Sequence, residues 1–148
     1  MNIEIGTPED IASLEQEIPE FEEPYSLEEI TGRIDGKKHY CLVAYMDRKH
    51  AGYKLGYEQA PGKFYSWTGG ILPAYRKRGI ADALLNMQED WCWKNAYKRI
   101  DVTSLNRHKA MIIFLLKRGY DIIGTDITGS IMLRKTSPNK ALQPPQSR

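Results

Sequence analysis

Gly69-Gly70-Ile71-Leu72-Pro73-Ala74-Tyr75-Arg76-Lys77-Arg78-Gly79-Ile80-Ala81 is the stretch on which the reading of this chain turns. A β-prone run ends at Ile71, Pro73 stops it, three basic residues follow, and a helical pattern starts at Gly79. The first turn of a helix leaves backbone N–H groups unpaired and pointing outward. Together with the helix dipole they make a site for phosphate. Gly79 lets an anion approach the backbone closely, and Ala81 keeps the second crossing point small. Arg76, Lys77 and Arg78 bring three positive charges to the mouth of that site. A solvated turn has the same local composition, so the rest of the chain has to decide.

Upstream, Asn2 to Ile5 alternates as a strand, and Thr7-Pro8-Glu9-Asp10 reads as a helix start with Thr7 as N-cap. Pro19 and Pro24 bracket a loop from Ile18 to Tyr25, and Ser26-Leu27-Glu28-Glu29 is a capping box whose helix Gly36 closes. His39–Met46, Ala51–Glu58 and Phe64–Ile71 have strand periodicity, separated by turns at 47–50 and at Pro61-Gly62, and predict an antiparallel meander. Downstream, Ile80, Leu84, Met87 and Trp91 recur at helical spacing to about Asn95, and a strand Arg99–Leu105 follows. A helix of about Arg107 to Arg118 is so apolar from Ala110 to Leu116 that burial nearly all round is expected. Tyr120–Ile123 and Ser130–Arg134 read as a closing pair of strands. The order is β-α-α-β-β-β-α-β-α-β-β. Thr136 to Arg148, with Pro138, Pro144 and Pro145, has the composition of a disordered tail.

At 148 residues, with 41% hydrophobic and 27% charged side chains, the chain fits one globular domain. No apolar run approaches the ~20 residues that span a bilayer, so no membrane partner is expected. Glu4, Glu9 and Asp10 stand where a signal peptide would be basic and apolar, so a cytoplasmic location is expected. Cys41 and Cys92 lack metal-ligand spacing and read as buried thiols, with no metal expected. The net charge of +2 hides an asymmetry: residues 1–35 hold 11 acidic side chains and one basic, Arg33, while the remainder is strongly basic. A basic surface suits an anionic partner. Nucleic acid is not the expected one, because the Lys and Arg are dispersed and no recognised motif accompanies them.

With these elements around it, the stretch from Ile71 to Ala81 resembles the pyrophosphate motif of the GNAT superfamily of acetyl-CoA-dependent N-acetyltransferases, Q/R-x-x-G-x-G/A. Arg76, Gly79 and Ala81 match it position for position, and Ile71 and Pro73 are similar to the V-x-P that ends the family's fourth strand. The resemblance implies an α+β fold: a mixed, mostly antiparallel, twisted seven-stranded sheet flanked by about four helices, occupying residues 1–135. It implies acetyl-CoA as cosubstrate, lying where the fourth and fifth strands splay. The pantetheine arm is then expected against the backbone of Gly69, Gly70 and Ile71. The pyrophosphate is expected on Arg76, Lys77 and Arg78 and the amides through Gly79, Ile80, Ala81 and Asp82. The Ile71 amide is the group that would polarise the thioester carbonyl. A glycine pair at 69–70 suits a bulge, and also suits simple relief of strand crowding.

A second patch, Asn106-Arg107-His108-Lys109-Ala110 and then Lys117-Arg118-Gly119-Tyr120, is similar to the family's N-x-x-A … Y-x-K-x-G-F pattern. The resemblance implies that Asn106 contacts pantetheine, and Asn106 is also a candidate helix N-cap. The patch departs from the pattern in a longer spacing from Asn106 to Gly119, in Ala110 displaced by one, and at Leu115, which stands where the family commonly has the tyrosine that protonates the leaving thiolate.

Amine attack on a thioester needs a neutral amine, a polarised carbonyl and a proton for sulfur. Glu58 and Asp101, on central strands, are the candidate bases; Tyr65 and Trp67 either line the acceptor pocket or pack. His39, His50 and His108 share no spacing. The acceptor is expected to be a primary amine of a small molecule or peptide. Glu17, Glu20, Glu22 and Glu23 around Pro19, Phe21 and Pro24 form either an acidic wall for a cationic acceptor or a solvated face. With Leu115 in place of the tyrosine, the rival to an enzyme is a catalytically silent acyl-CoA-binding module. A monomer or homodimer is expected.

Overall fold

The computed structural model describes residues 1–139. Among them, the elements follow as β1 (Asn2–Ile5), α1 (Pro8–Gln16), α2 (Leu27–Ile34), β2 (His39–Met46), β3 (Lys49–Ala60), β4 (Lys63–Ile71), a 3-10 turn (Pro73–Tyr75), α3 (Ile80–Lys94), β5 (Arg99–Leu105), α4 (Lys109–Lys117), β6 (Asp121–Thr125) and β7 (Ser130–Thr136). The seven strands make one mixed sheet in the order β1-β2-β3-β4-β5-β7-β6. Its β4–β5 pair is parallel, which requires a long crossover, and α3 supplies it. The expected element order and α+β class are those observed.

The described residues divide into two compact units: Met1–Tyr57 with Trp67–Asp90, and Glu58–Ser66 with the described residues from Trp91 on. In the first unit both early helices start at capping boxes, Thr7 with Asp10 and Ser26 with Glu29, which satisfy amides the first turn would leave open. The 47–48 turn has positive φ at both Asp47 (51°) and Arg48 (66°), a two-residue hairpin geometry that lets β2 and β3 pair from His39 to Met46. On one face of these strands Leu42, Ala44 and Ala51 bury against Ile80 and Leu84 of α3. α1 packs against β2 and α2.

In the second unit Phe64, Trp91 and Tyr97 pack as an aromatic trio with ring centroids 5.2–5.8 Å apart. β5 pairs with β7 along its whole length. The expectation for α4 needs correcting. Ile112 and Leu115 are buried, but among the described residues Met111, Ile113 and Leu116 are exposed. One stripe of the helix is covered and the other apolar positions face outward. The helix also starts later than read, at Lys109, because His108 closes a turn onto Leu105 O. β7 extends to Thr136, and Ser137 is buried with its N–H on Lys98 O. The tail expected from Thr136 lies, from residue 140 on, outside the described residues.

Candidate functional site

The loop between the 3-10 turn and α3 has an unusual backbone. Lys77 has φ 63° and Gly79 φ 80°, so two left-handed residues alternate with ordinary ones just before the helix. Alternation of this kind turns successive N–H groups into a concavity that receives anions. Lys77, a non-glycine residue, holds this left-handed conformation at some cost in strain. A Cβ added at Gly79 would meet no atom within 4 Å, so the backbone there faces open space. These residues fit a phosphorylated ligand: Lys77, Gly79 and the first-turn amides of α3 would hold it. Arg76 in the same loop has partners of its own. Its Nε donates to Ile71 O, and its Nη1 and Nη2 lie 2.6 and 2.9 Å from the two carboxylate oxygens of Glu20.

Just before its glycine pair, β4 turns two successive side chains toward one layer, the pattern of a bulge. Trp67 meets the Tyr25 ring at 4.7 Å and the Tyr57 ring at 6.1 Å, with the Arg33 guanidinium 4.6 Å over it. The next residue, Thr68, bonds the Tyr53 hydroxyl at 2.9 Å and donates to Glu15 at 3.0 Å. Tyr53 and Tyr57 lie on one face of β3, so Trp67 and Thr68 face the same layer. A regular strand would put them on opposite sides. Alternation resumes after Thr68. A Cβ at Gly69 would contact Lys54, while one at Gly70 would lie 2.4 Å from Ile18 Cδ1. A side chain at Gly70 would have to push aside the end of the Ile18 side chain, which the α1–α2 loop lays against β4. Lys54 lies across Gly69, and burial lowers its ammonium to about 8 against an opposing pull from Glu89.

In the second unit the two candidate bases differ. The Tyr97 hydroxyl, raised by burial and by its neighbour, donates to Glu58 at 2.9 Å, and Glu58 is otherwise half-buried. Asp101 takes Arg134 Nε and Nη2 at 2.7 and 3.2 Å, with Arg99 at 3.4 Å, so both its oxygens are engaged. Tyr65 pairs with Asp101 across β4 and β5. Asn106 is not the N-cap of α4, because that position is His108. Its Oδ1 accepts from Lys109 Nζ at 2.7 Å and its N–H bonds Gly129 O. Leu115 is buried. In the first unit His39 lies against Lys37 O, and His50 pairs with Asp10 at 3.2 Å.

Three groups escaped the sequence reading: Glu15 with Tyr53 and Thr68, Lys54, and the Glu20–Arg76 pair. One signal was available for Glu15. It stands on the apolar face of α1 at the spacing of Ile11, Leu14 and Ile18, where a carboxylate needs buried partners.

The sequence model described as the acetyltransferase (GNAT) family matches residues 9–120. No curated protein sequence matches the chain. Solved structures similar to it include the PaiA N-acetyltransferase of Thermoplasma acidophilum with coenzyme A, at 20% identity and TM-score 0.76 over 93% of this chain and 100% of that one. A GNAT phosphinothricin acetyltransferase of Sinorhizobium meliloti with acetyl-CoA matches at 16% identity and TM-score 0.76, over 98% of this chain and 93% of that one. An aminoglycoside 6'-acetyltransferase type Ii matches at 18% identity and TM-score 0.76, over 99% and 100%.

Proposed function

We propose that this chain, which belongs to the acetyltransferase (GNAT) family, is an N-acetyltransferase that moves the acetyl group of acetyl-CoA to a primary amine by direct attack. The observation that carries the reading is the loop of Lys77 and Gly79, a left-handed pair with open space at Gly79 immediately before α3. That arrangement suits the cosubstrate's pyrophosphate. The bulged, glycine-bearing end of β4 supports a pantetheine arm laid along Gly69, Gly70 and Ile71, with the Ile71 amide polarising the carbonyl. Glu58 is the better-supported base, since Asp101 is taken up by Arg134 and Arg99. The α1–α2 loop, with Glu17, Glu22 and Glu23, favours a cationic acceptor, and the cytosol is the proposed place of reaction.

A second reading rests on one residue. Leu115 is buried where the family commonly has a tyrosine acid, and a CoA-binding module without turnover would need no such group. An amine panel with detection of free thiol separates the two. Thiol released with an amine and acetyl-CoA supports the enzyme, whereas CoA binding with no thiol released on any amine supports the silent module. Leu115→Tyr, checked first for folding because the position is packed, raises turnover if the acid role is vacant.

A further inference from the structure

We infer that Glu15 is a positioning residue that holds the β4 bulge and the α1–α2 loop in one arrangement, through Thr68, Tyr53 and the Tyr25 amide. The inference rests on the proposed acyl transfer for its kinetic consequence but not for its geometry. Glu15 is buried on α1, and both its oxygens are occupied. Oε1 accepts the Tyr25 N–H at 2.9 Å. Oε2 accepts Thr68 Oγ1 at 3.0 Å and the Tyr53 hydroxyl in a close contact. The same Tyr53 and Thr68 oxygens lie 2.9 Å apart. Burial, then the Glu15 charge, pushes the Tyr53 phenol well above the ordinary tyrosine range, so it stays a donor.

Three segments meet at this carboxylate: the loop that follows α1, strand β3, and β4 at the residue where its alternation breaks. A bulge leaves one residue unpaired in the ladder, and an alternative register would turn Thr68 to the opposite face. The buried carboxylate opposes that slip, because Glu15 would lose one of its donors and the Tyr53 hydroxyl its Thr68 neighbour. With no oxygen left to meet a substrate, Glu15 acts through Thr68 and Tyr53 and not on the reacting atoms. What it sets is the position of the amides that follow the bulge, from Gly69 to Ile71. In a preorganised site a displacement of this kind is felt in turnover before binding.

The test uses the full chain with Glu15→Gln, Thr68→Val and Thr68→Ser. Backbone amide exchange at Trp67–Ile71 is expected to quicken in Glu15→Gln and Thr68→Val and to return to wild-type rates in Thr68→Ser. This arm needs no activity. In the kinetic arm, kcat is expected to fall about 10- to 100-fold with KM for acetyl-CoA unchanged, Thr68→Ser to be rescued, and the Glu15→Gln/Thr68→Val pair to be non-additive. Unchanged exchange at Trp67–Ile71 in folded Glu15→Gln overturns the inference. So does unchanged kcat. If the wild type turns over no amine, the proposed reaction fails, and the exchange arm alone decides the role of Glu15.

Discussion

Arg76 and Glu20 form a two-pronged ion pair, Nη1 and Nη2 each facing one carboxylate oxygen at 2.6 and 2.9 Å, while Arg76 Nε caps Ile71 O. The pair ties the α1–α2 loop to the loop that precedes α3. Both side chains are exposed, so its stability contribution is small, about 0–1 kcal/mol. Its interest is competitive. Nε, Nη1 and Nη2 each already hold one acceptor, so a phosphate recruiting Arg76 competes with Glu20. Glu20→Gln is expected to tighten coenzyme A binding about 2- to 5-fold by calorimetry, with the gain absent in an Arg76→Ala background. Equal affinities in both backgrounds would leave Arg76 as a loop clasp only.

Gly79 offers a sharper test of the anion site. Its φ of 80° disfavours any side chain, and the Cβ position is open. Gly79→Val is expected to lose about 1–3 kcal/mol of stability from backbone strain. On protein that remains folded, coenzyme A affinity is expected to fall at least about tenfold, as an obstructed helix N-terminus requires. Undiminished affinity would exclude the loop as the pyrophosphate site.

The two carboxylates separate by kinetics. Glu58→Gln is expected to lower kcat/KM about 10²- to 10⁴-fold, as loss of a general base does. Asp101→Asn strips Arg134 and Arg99 of their partner and is expected to lower Tm with a smaller kinetic effect. The reverse pattern would transfer the base to Asp101.

Lys54 makes stability depend on pH. Its native value is about 8 against 10.5 for an unhindered lysine. Between those limits the unfolded chain holds a proton that the native state does not, so stability rises with pH. Below about 8 the full penalty of a buried ammonium is present, and above about 10.5 it has gone. Wild type is therefore expected to gain stability relative to Lys54→Met as pH climbs through this window. Denaturant midpoints that move in parallel would contradict a depressed Lys54.

Capping boxes, the meander and the helix after Gly79 are short-range features, and the sequence determined them. Thr7 and Asp10, or Ser26 and Glu29, are three residues apart and satisfy the same helix end wherever that helix later packs. The Arg76–Gly79–Ala81 spacing was legible for the same reason, since a loop running into a helix is a local arrangement. Tertiary structure decided what depends on distant partners. Apolar residues fill α4 from Ala110 to Leu116, but only packing selects Ile112 and Leu115 for burial and leaves Ile113 outside. The ion pair of Arg76 with Glu20, 56 residues away, had no counterpart in the local spacing. Glu15 meets Tyr53 and Thr68 across separations of 38 and 53 residues. No periodicity encodes such a meeting, because it exists only once α1, β3 and β4 share a core.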